Sequence, residues 1–357
     1  MVTSSTSRVR LSSLTESLRR RIVGGEWKPG ARVPTRREIR SDCGASMMTV
    51  QRALAALQEE GFVVSHVGRG TRVVEHPPHL YRYGLVFQHD ADPAHSNFAR
   101  SLEKVAAEKA EWTPRRIAVY ADVGQPGYSE DYDRLENDVE RRRLAGVVVW
   151  PECGRLRRMS VVGAPEVPLV RLSAGSPKGE EVGVQLSPMR FLRRSLDYLA
   201  QRGRRRVAFL WKYSRDLVGP EDLHERVRPL LQERGMQTDL LWVQGFKHTE
   251  PRWGANWMRL MMTCLRDKPD GLVIGDDNIV EPVTRGLRDA GVEVPADVEV
   301  VAHCNFPYPT PAMVPVQRVG FDVRAVLRHA LDLVDAQREG TLERRVEKAS
   351  VRLDGTP

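Results

Sequence analysis

The sequence has few cysteines and no long apolar run, and both shortages limit what the protein can be. Cys43, Cys153, Cys264 and Cys304 are far apart and form no paired motif. This spacing argues against a disulfide framework or a zinc cluster and favours a reducing compartment. No run approaches the roughly 20 apolar residues of a membrane-spanning helix, and the start, MVTSSTSRVR, lacks the apolar core of a signal peptide. We therefore predict a cytoplasmic protein.

Motifs of common enzymes are also missing from the larger part of the chain. It has no GxSxG, no HExxH and no P-loop, so we predict that the protein is not an enzyme. The histidines at 76, 79, 89 and 95 are loosely spaced, and two of them lie beside prolines. We therefore predict neither a metal site nor a cofactor. An enzyme and an exported solute-binding protein remain alternatives that the sequence favours less.

The sequence does contain a basic N-terminal segment. The chain of 357 residues exceeds the usual size of one compact domain, so two or more domains are expected. Residues 1–75 hold thirteen Arg and Lys against seven Asp and Glu, and so account for most of the net charge of +8. Such an asymmetry favours a nucleic-acid-binding domain at this end.

The first part of this segment predicts two helices. Residues 14–23 place apolar side chains along one helical face and leave Arg19–Arg21 largely outside that face. A stretch rich in glycine and proline then ends the helix. Thr35 and Glu38, three residues apart, form a capping box that begins a second short helix.

The second part predicts a third helix and a hairpin. Ser46 is a favourable N-cap, and Gly61 ends the helix. The apolar residues on one face of this helix are Val50, Ala53, Leu54 and Leu57. Two β-like segments, 62–67 and 71–76, follow and are joined through Gly-Arg-Gly. Three helices followed by a hairpin is the order of a winged helix-turn-helix.

In that arrangement the third helix lies in the major groove of DNA, with its N-terminal residues at base edges. Gln51 can pair with adenine, and Met48 or Thr49 can touch a thymine methyl group. Arg69 lies between two glycines and can enter a neighbouring minor groove. The residues predicted to contact DNA are Arg36, Arg37, Ser46, Met47, Met48, Thr49, Gln51, Arg52, Gly68, Arg69 and Gly70.

These motifs resemble the DNA-binding domain of the GntR family of bacterial transcription regulators over about residues 12–75. The similarity includes a Pro-Gly turn, the block PTRRE, the stretch SMMTVQRAL, EEG and the wing GRGT. The resemblance implies a DNA contact by Arg37. Two further arginines that the family often has are replaced here by Met47 and Gln51. For Met47, burial in the core of the module remains an alternative to a DNA contact.

Beyond residue 82, apolar runs alternate with amphipathic segments such as 98–112. The candidate strands are 83–88, 116–121, 145–150, 167–172, 205–211, 240–246, 270–275 and 298–303. Apolar strands separated by helices predict an α/β fold with parallel sheets covered on both faces. Such a chain can form one closed barrel or two doubly wound lobes, and two lobes would bind a ligand near the carboxyl ends of their strands.

Several stretches of this part resemble LacI/GalR-type sensors over roughly residues 82–355. They are SPMRFLRRSLDYLAQRGRRRVAFLWK, PDGLVIGDDN, VTRGLRDAGVEVPADVEVVAHCN and PVQRVGFDVRAVLRHALDLV. The resemblance implies a periplasmic-binding-protein-like fold whose two lobes close on a small molecule, often a sugar. We expect a winged helix-turn-helix at 1–75, a linker at 76–82 and this two-lobed sensor at 83–357.

The same resemblance implies a set of effector-binding residues. They are Asp90, Phe98, Trp211, Asp277 and Asn305. Their side chains would offer hydrogen bonds to hydroxyl groups and an aromatic face, although Trp211 could equally pack in the core. The family's effector-clamping arginine would fall near Leu223, where the chain has none. A sensor that has lost its ligand therefore remains an alternative.

Together these features predict a transcription regulator, with repression favoured over activation. A homodimer formed mainly through the sensor would bind a two-fold-related site on double-stranded DNA. A small-molecule effector would change the spacing of the two DNA-binding modules. The arginine runs 141–143 and 204–206 either extend the DNA-binding surface or form solvated helix ends and turns.

Overall fold

The structure is a computed structural model that describes seven ranges of the chain. They are 10–87, 96–123, 129–150, 167–175, 181–212, 220–246 and 252–354. No helix within these ranges is long and apolar enough to cross a membrane. A small N-terminal module and two α/β lobes make up this part of the chain.

The N-terminal module (residues 11–73) has the predicted order of helices and strands. Its elements are α1 (Leu11–Val23), α2 (Arg36–Cys43), α3 (Met47–Glu59), β1 (Val63–His66) and β2 (Gly70–Val73). The apolar face predicted for α3 is buried in a core that it shares with Leu14, Leu18 and Ile22 of α1. The two strands are antiparallel and form the wing.

A capping box and a glycine set the two ends of α2. The Thr35 hydroxyl accepts a hydrogen bond from the Glu38 amide at 3.3 Å, and the Glu38 carboxylate accepts one from the Thr35 amide at 2.6 Å. This is the predicted capping box. Gly44 ends α2 with φ at 63°, a left-handed conformation that glycine adopts without strain.

Arg19 is buried, although the sequence places it largely outside the apolar face of α1. Its side chain donates hydrogen bonds to the Glu60 carboxylate at distances between 2.7 and 3.1 Å. Arg19 and Glu60 are only 5% and 7% exposed. Because a buried charge is tolerated only when it is paired, this contact explains the inward position and ties α1 to the end of α3.

The segment predicted as a linker, 76–82, is packed against its surroundings. It contains one helical turn, α4 (Pro78–Tyr81), and Pro77, Pro78 and His79 are buried. His79 stacks on Phe62 of the N-terminal module, with ring centroids 5.8 Å apart. The prolines that suggested a linker instead favour this turn, since proline at the first helical position needs no amide partner.

The first lobe, the N-lobe, is a six-stranded sheet with helices on both faces. Its strands are β3 (Arg82–Phe87), β4 (Arg116–Tyr120), β5 (Gly146–Trp150), β6 (Leu169–Ser173), β7 (Gly183–Gln185) and β13 (Val346–Lys348). Its helices are α5 (Asn97–Ala107), α6 (Lys109–Trp112), α7 (Glu130–Glu140) and α12 (Val323–Glu339). The strands are parallel in the order β13–β7–β6–β5–β3–β4. Alternate residues pack towards opposite faces: Leu85 with α5 and α12, and Val86 with α7.

The second lobe, the C-lobe, repeats this design. Its strands are β8 (Val207–Lys212), β9 (Val243–Phe246), β10 (Gly271–Ile274), β11 (Glu299–Phe306), β12 (Gln317–Asp322) and β14 (Val351–Leu353). Its helices are α8 (Pro188–Gln201), α9 (Pro220–Gln232), α10 (Arg252–Cys264) and α11 (Val280–Asp289). The order is β14–β12–β11–β10–β8–β9, with only β14 antiparallel among these six strands.

The chain passes between the lobes after β7, after β12 and after β13. Two separate sheets joined in this way confirm the prediction of two doubly wound lobes over one closed barrel. The carboxyl ends of parallel strands gather at one edge of each sheet, which is where this type of fold binds its ligands.

Two predicted elements are shorter than expected. The strand predicted over 240–246 begins only at Val243, because the Asp239 carboxylate accepts the Leu241 amide at 2.8 Å and holds a 3₁₀ turn. The helix predicted over 98–112 breaks at Glu108, whose carboxylate accepts a hydrogen bond from Arg324 at 2.7 Å. The Asp239 cap is a polar contact, and the backbone at Glu108 leaves the helical region with ψ at 69°; apolar periodicity reports neither feature.

The buried His79 should make stability depend on pH. Burial lowers the pKa of His79 from 6.5 to about 4. Because the folded state binds this proton less readily, the contribution to stability is complete above pH 6.5 and is lost as the pH falls towards 4. We expect a loss of about 2 kcal/mol between pH 7 and pH 5 from this group.

Urea unfolding at these two pH values, in the wild type and in His79→Gln, measures this contribution. The free energy of unfolding should change less with pH in the variant than in the wild type. An equal change in both proteins would show that His79 is not held in its neutral form.

Candidate nucleic-acid interface and effector cleft

The outward face of α3 carries the side chains predicted to read bases. Met47 and Met48 are 37% and 59% exposed, and Gln51 and Arg52 on the next turn are also exposed. The alternative in which Met47 is buried in the core of the module is therefore wrong. The opposite face of the helix supplies that core without it.

Two hydroxyl groups organise the start of α3. Ser46 Oγ accepts a hydrogen bond from the Thr49 amide at 3.1 Å and lies 2.8 Å from Thr49 Oγ1. Ser46 is therefore the N-cap. The hydroxyl group of the half-buried Thr49 is hydrogen-bonded to the Ser46 hydroxyl group. The preceding amides of the first turn have no acceptor within the helix, and they are suited to a DNA phosphate.

The predicted contact arginines of α2 differ in their pairing from the arginines of α1. Arg36 and Arg37 lie exposed in the first turn of α2, and neither forms an ion pair within the described ranges. The run Arg19–Arg21 on α1 is instead paired with glutamates. Since pairing occupies a guanidinium, Arg36 and Arg37 are more available to phosphate or guanine than the arginines of α1.

The wing carries Arg69 at an exposed tip. Gly68 and Gly70, on either side of it, have φ values of 74° and 81°, which favour glycine. Two further residues were missed by the sequence analysis. Val67 is fully exposed beside Arg69, and Arg32 lies so close to the wing that a Cβ at Gly70 would be 3.5 Å from its Nε. Arg32 is signalled only by its basic charge two residues before the Pro-Thr cap, which does not predict contact with the wing.

The predicted effector residues Asp277 and Asn305 lie together in the C-lobe. Asn305, near the end of β11, donates from Nδ2 to Asp277 Oδ2 at 2.7 Å, and both side chains are buried. Asp277 follows β10, the neighbour of β11 in the sheet. Asn305 Oδ1 is buried with no hydrogen-bond partner among the described residues. It is therefore suited to accept a hydrogen bond from a ligand.

Trp211 lies near the carboxyl end of β8, against a glycine. A Cβ at Gly275 would come within 1.9 Å of the indole ring, so this position requires glycine. The ring is half-buried and meets Phe191 edge-on at 5.8 Å between centroids. Phe191 also meets His303 at 5.2 Å, and burial lowers the pKa of His303 to about 4. Trp211 can thus both pack in the core and offer part of its ring to a ligand.

Phe98 lies on the N-lobe side as the second residue of α5. It is 8% exposed and meets Trp150 edge-on, with centroids 4.7 Å apart. Phe98 therefore supports Trp150 more than it offers an open face, because α5 packs this ring into the core. Trp150, half-buried at the end of β5, is an aromatic candidate that the sequence analysis missed. Asp90, the remaining predicted residue, lies outside the described ranges.

A chain of hydrogen bonds beside Asp277 joins the two lobes and was not predicted. The Asp276 carboxylate accepts from the Asn278 backbone amide at 2.8 Å and from its side chain at 2.6 Å. Asn278 Oδ1 then accepts from the Asn97 amide, at the start of α5, at 3.1 Å. The polar run after β10 was a signal for a cleft, but the partner across the cleft is 181 residues away in sequence.

Comparison with known families agrees with this geometry. The family model of bacterial regulatory proteins of the gntR family matches residues 12–73, and that of a periplasmic binding protein-like domain matches residues 196–353. The chain joins a GntR-family DNA-binding domain to a periplasmic-binding-protein-like sensor. The two predicted resemblances are therefore confirmed, and the N-terminal module is its DNA-binding domain.

Individual proteins resemble the chain over different lengths. The arabinose metabolism transcriptional repressor of Geobacillus stearothermophilus is 23% identical over 348 residues, which are 92% of this chain and 89% of that protein. The histidine utilization repressor of Klebsiella aerogenes is 38% identical over 60 residues, 17% of this chain and 25% of that protein. The structure of a LacI family transcriptional regulator from Arthrobacter sp. FB24, in complex with lactose, is 18% identical and covers 77% of this chain and 97% of its own, with a TM-score of 0.59. These matches make the chain a ligand-modulated DNA-binding transcription regulator.

Replacement of Arg37 should weaken DNA binding without unfolding the domain. Because the Arg37 side chain is exposed and unpaired within the described ranges, Arg37→Ala should change the melting temperature by no more than about 1 °C. Loss of a charged contact should lower affinity by roughly 5- to 100-fold and, for a phosphate contact, reduce the salt slope by about 1. Fluorescence anisotropy at several salt concentrations measures both quantities.

Arg20→Ala is the matched control, since Arg20 is exposed on α1 and pairs with Glu16 at 3.0 Å. It should bind DNA as the wild type does. Equal affinities for Arg37→Ala and Arg20→Ala would remove Arg37 from the interface.

Proposed function

We propose that the protein is a cytoplasmic homodimeric repressor whose binding to an operator is controlled by a small polyhydroxylated molecule, such as a sugar. Residues 1–75 would form the DNA-binding module, 76–82 the connecting segment and 83–357 the sensor. One observation carries the proposal. The exposed face of α3, and beside it the arginines that form no ion pair among the described residues, belong to a domain fused to a two-lobed sensor.

The residues on α3 favour operator half-sites rich in A·T pairs. Met48 and the Thr49 methyl group suit a thymine methyl, and Gln51 suits adenine. With Met47 and Gln51 in place of two arginines, the domain has fewer contacts that select guanine. Arg36, Arg37, Arg52 and Arg69 would hold the phosphates and the minor groove. Ser46, Met47, Gly68 and Gly70 would complete the contact surface through the helix start and the wing.

The cleft supports a ligand with several hydroxyl groups. Asp277 and Asn305 provide carboxylate and amide atoms at the carboxyl edge of the C-lobe sheet, and Asn305 Oδ1 has acceptor capacity left among the described residues. Trp211 in the C-lobe and Trp150 in the N-lobe, the latter packed against Phe98, would provide aromatic surface for the apolar face of a sugar ring. Asp90 would add a further acceptor. The relative named for arabinose metabolism makes L-arabinose the first compound to test.

A second candidate is a regulator whose sensor has lost its ligand. Leu223, where the resemblance places an effector-clamping arginine, is buried in the C-lobe core. Asp277 and Asn305 also bind each other, so part of their hydrogen-bonding capacity is already satisfied. In this candidate the cleft would be closed by the protein's own side chains.

A dimer would present two DNA-binding modules to a two-fold-related site. The face of α10 supports an association through the sensor. Trp253 and Leu260, seven residues apart and thus on one face of the helix, are 61% and 52% exposed. Large apolar side chains exposed together are typical of an interaction surface.

Selection of genomic DNA fragments by the purified chain tests the proposed function. We expect recovery of a fragment that is bound in a salt-sensitive manner, because phosphate neutralisation releases counterions. A footprint on that fragment should contain two related, A·T-rich half-sites. Failure to retain any fragment at low salt, by a folded protein, would overturn the proposal.

Thermal melting with a panel of pentoses and hexoses, beginning with L-arabinose, tests the effector. A ligand at 100 times its Kd should stabilise the wild type by about 2.7 kcal/mol. Asp277→Asn should lose this stabilisation while retaining DNA affinity, whereas Asp289→Asn, at an exposed site on α11, should retain both. An undiminished shift in Asp277→Asn would contradict the role of Asp277, and no shift in the wild type would favour the second candidate.

A further inference from the structure

The DNA-binding module and the N-lobe meet at one buried carboxylate. Glu60 directly follows α3 and is 7% exposed. On one side it binds Arg19 of its own module, as described above. On the other side Arg141, at the end of α7 in the N-lobe, donates from Nη1 to Glu60 Oε1 at 2.8 Å. Glu60 is thus shared between a guanidinium of the DNA-binding module and one of the sensor.

A second buried carboxylate, that of Asp138, binds three side chains on the N-lobe side of this junction. Asp138 is 1% exposed, and its carboxylate accepts a hydrogen bond from the Tyr120 hydroxyl at 2.5 Å. It also pairs with Arg82 at 2.8 Å and with Arg143 at 3.0 Å. Arg82 begins β3 immediately after α4, so Asp138 fixes the end of the connecting segment.

Helix α7 links this junction to the opposite edge of the N-lobe sheet. Its C-terminal end carries Asp138 and Arg141, whereas its first turn is bound to the carboxyl end of β4. There the Asp131 carboxylate accepts a hydrogen bond from the Ala121 amide at 2.7 Å. An α-helix of 11 residues is about 16 Å long. A movement at the ligand-binding edge can therefore reach Glu60 through one rigid element.

The remaining junction is open enough to allow a change of orientation. A groove of about 290 Å³ lies between the end of α3 and the N-lobe, bordered by Gly61, His76, Pro78 and Arg116 among other residues. Beside this groove, the stack of His79 on Phe62 is the second direct contact described above. Among the residues that the structure describes, the Glu60 pair and this stack are contacts that would have to change for the module to tilt.

We propose that the Arg141–Glu60 ion pair is a clamp by which the sensor sets the orientation of the DNA-binding module. When Arg141 moves away, Glu60 keeps Arg19, so the module stays folded while its connection to the N-lobe loosens. A charge that retains one buried partner avoids the full cost of an unpaired carboxylate. The effect of the clamp on DNA binding rests on the proposed function, whereas its effect on the junction does not.

Hydrogen exchange of the full chain, without DNA or effector, tests the clamp directly. The variants are Arg141→Glu, which places a second carboxylate beside Glu60, and Arg141→Lys, which keeps the charge. Arg193→Glu is the matched control, because Arg193 and Arg141 have similarly exposed side chains, 52% and 50%, and each binds a glutamate. The amides to be monitored are those of Leu80 and Tyr81 in α4, which both donate to the Pro77 carbonyl oxygen.

These amides should exchange at least about 10-fold faster in Arg141→Glu than in the wild type, Arg141→Lys or Arg193→Glu. The amides of α1 should be unaffected, because the pair of Arg19 with Glu60 remains. No acceleration at α4 would overturn the clamp. Equal acceleration throughout α1 would also overturn it, since Arg141 would then stabilise only the fold of the module.

The coupling is tested with the DNA fragment recovered by the wild type, because coupling between two sites is reciprocal. Binding of this fragment should slow exchange in α7 of the wild type. Arg141→Glu should bind the fragment within about 3-fold of the wild-type affinity but lose the change in α7. A retained change in α7 would refute coupling through the clamp. If the wild type retains no fragment, the proposed function fails, and the exchange of the α4 amides still decides the clamp.

Discussion

The parallel strands of the sensor are apolar on both faces, and this requires helices on both sides of each sheet. Helices over both faces leave the two ends of the strands uncovered. At the carboxyl ends the chain can place polar groups such as Asp277 and Asn305 without disturbing a core. At the amino ends of the N-lobe strands, Arg82 and the end of α7 meet the DNA-binding module. The polar groups Asp277 and Asn305 and the junction with the DNA-binding module therefore lie at opposite strand ends and in different sheets, the former in the C-lobe and the latter in the N-lobe.

The sequence predicted those elements whose cause is local. The capping box at Thr35 and Glu38, the N-cap at Ser46 and the apolar runs of the longer strands are readable from neighbouring residues. Strands β7, β13 and β14 have only three residues each, too few for a periodic signal. The link from Asn278 to Asn97 could not be predicted, because it depends on how the lobes face each other. For the same reason the sequence did not point to Trp150, whose ring meets Phe98 of a helix distant in sequence.

The arginines show where reasoning from helical faces fails. A helical face analysis assigns charged residues to the outside, yet Arg19 is buried because Glu60 neutralises it. The sequence left two roles open for residues 141–143 and 204–206, an extension of the DNA-binding surface or solvated helix ends and turns. Several of these arginines instead form ion pairs. Arg141 binds Glu60, Arg143 binds Asp138 and Arg206 pairs with Asp270 at 3.5 Å. A net charge counts such paired groups together with Arg36 and Arg37 of α2, which form no ion pair in the part of the chain that the structure describes. It therefore locates the DNA-binding domain without identifying its contact residues.

The pairing of β13 with β7 has a consequence for the order of folding. Val346 of β13 lies opposite Gly183 of β7 in the N-lobe sheet, and all of the chain that builds β8 to β12 lies between them. During synthesis the N-lobe therefore lacks its edge strand until the chain of the C-lobe has largely left the ribosome. An unfinished sheet exposes the unpaired amides and carbonyl groups of β7 to other chains. The small DNA-binding domain has a hydrophobic core made from its own residues and can fold well before this hazard ends.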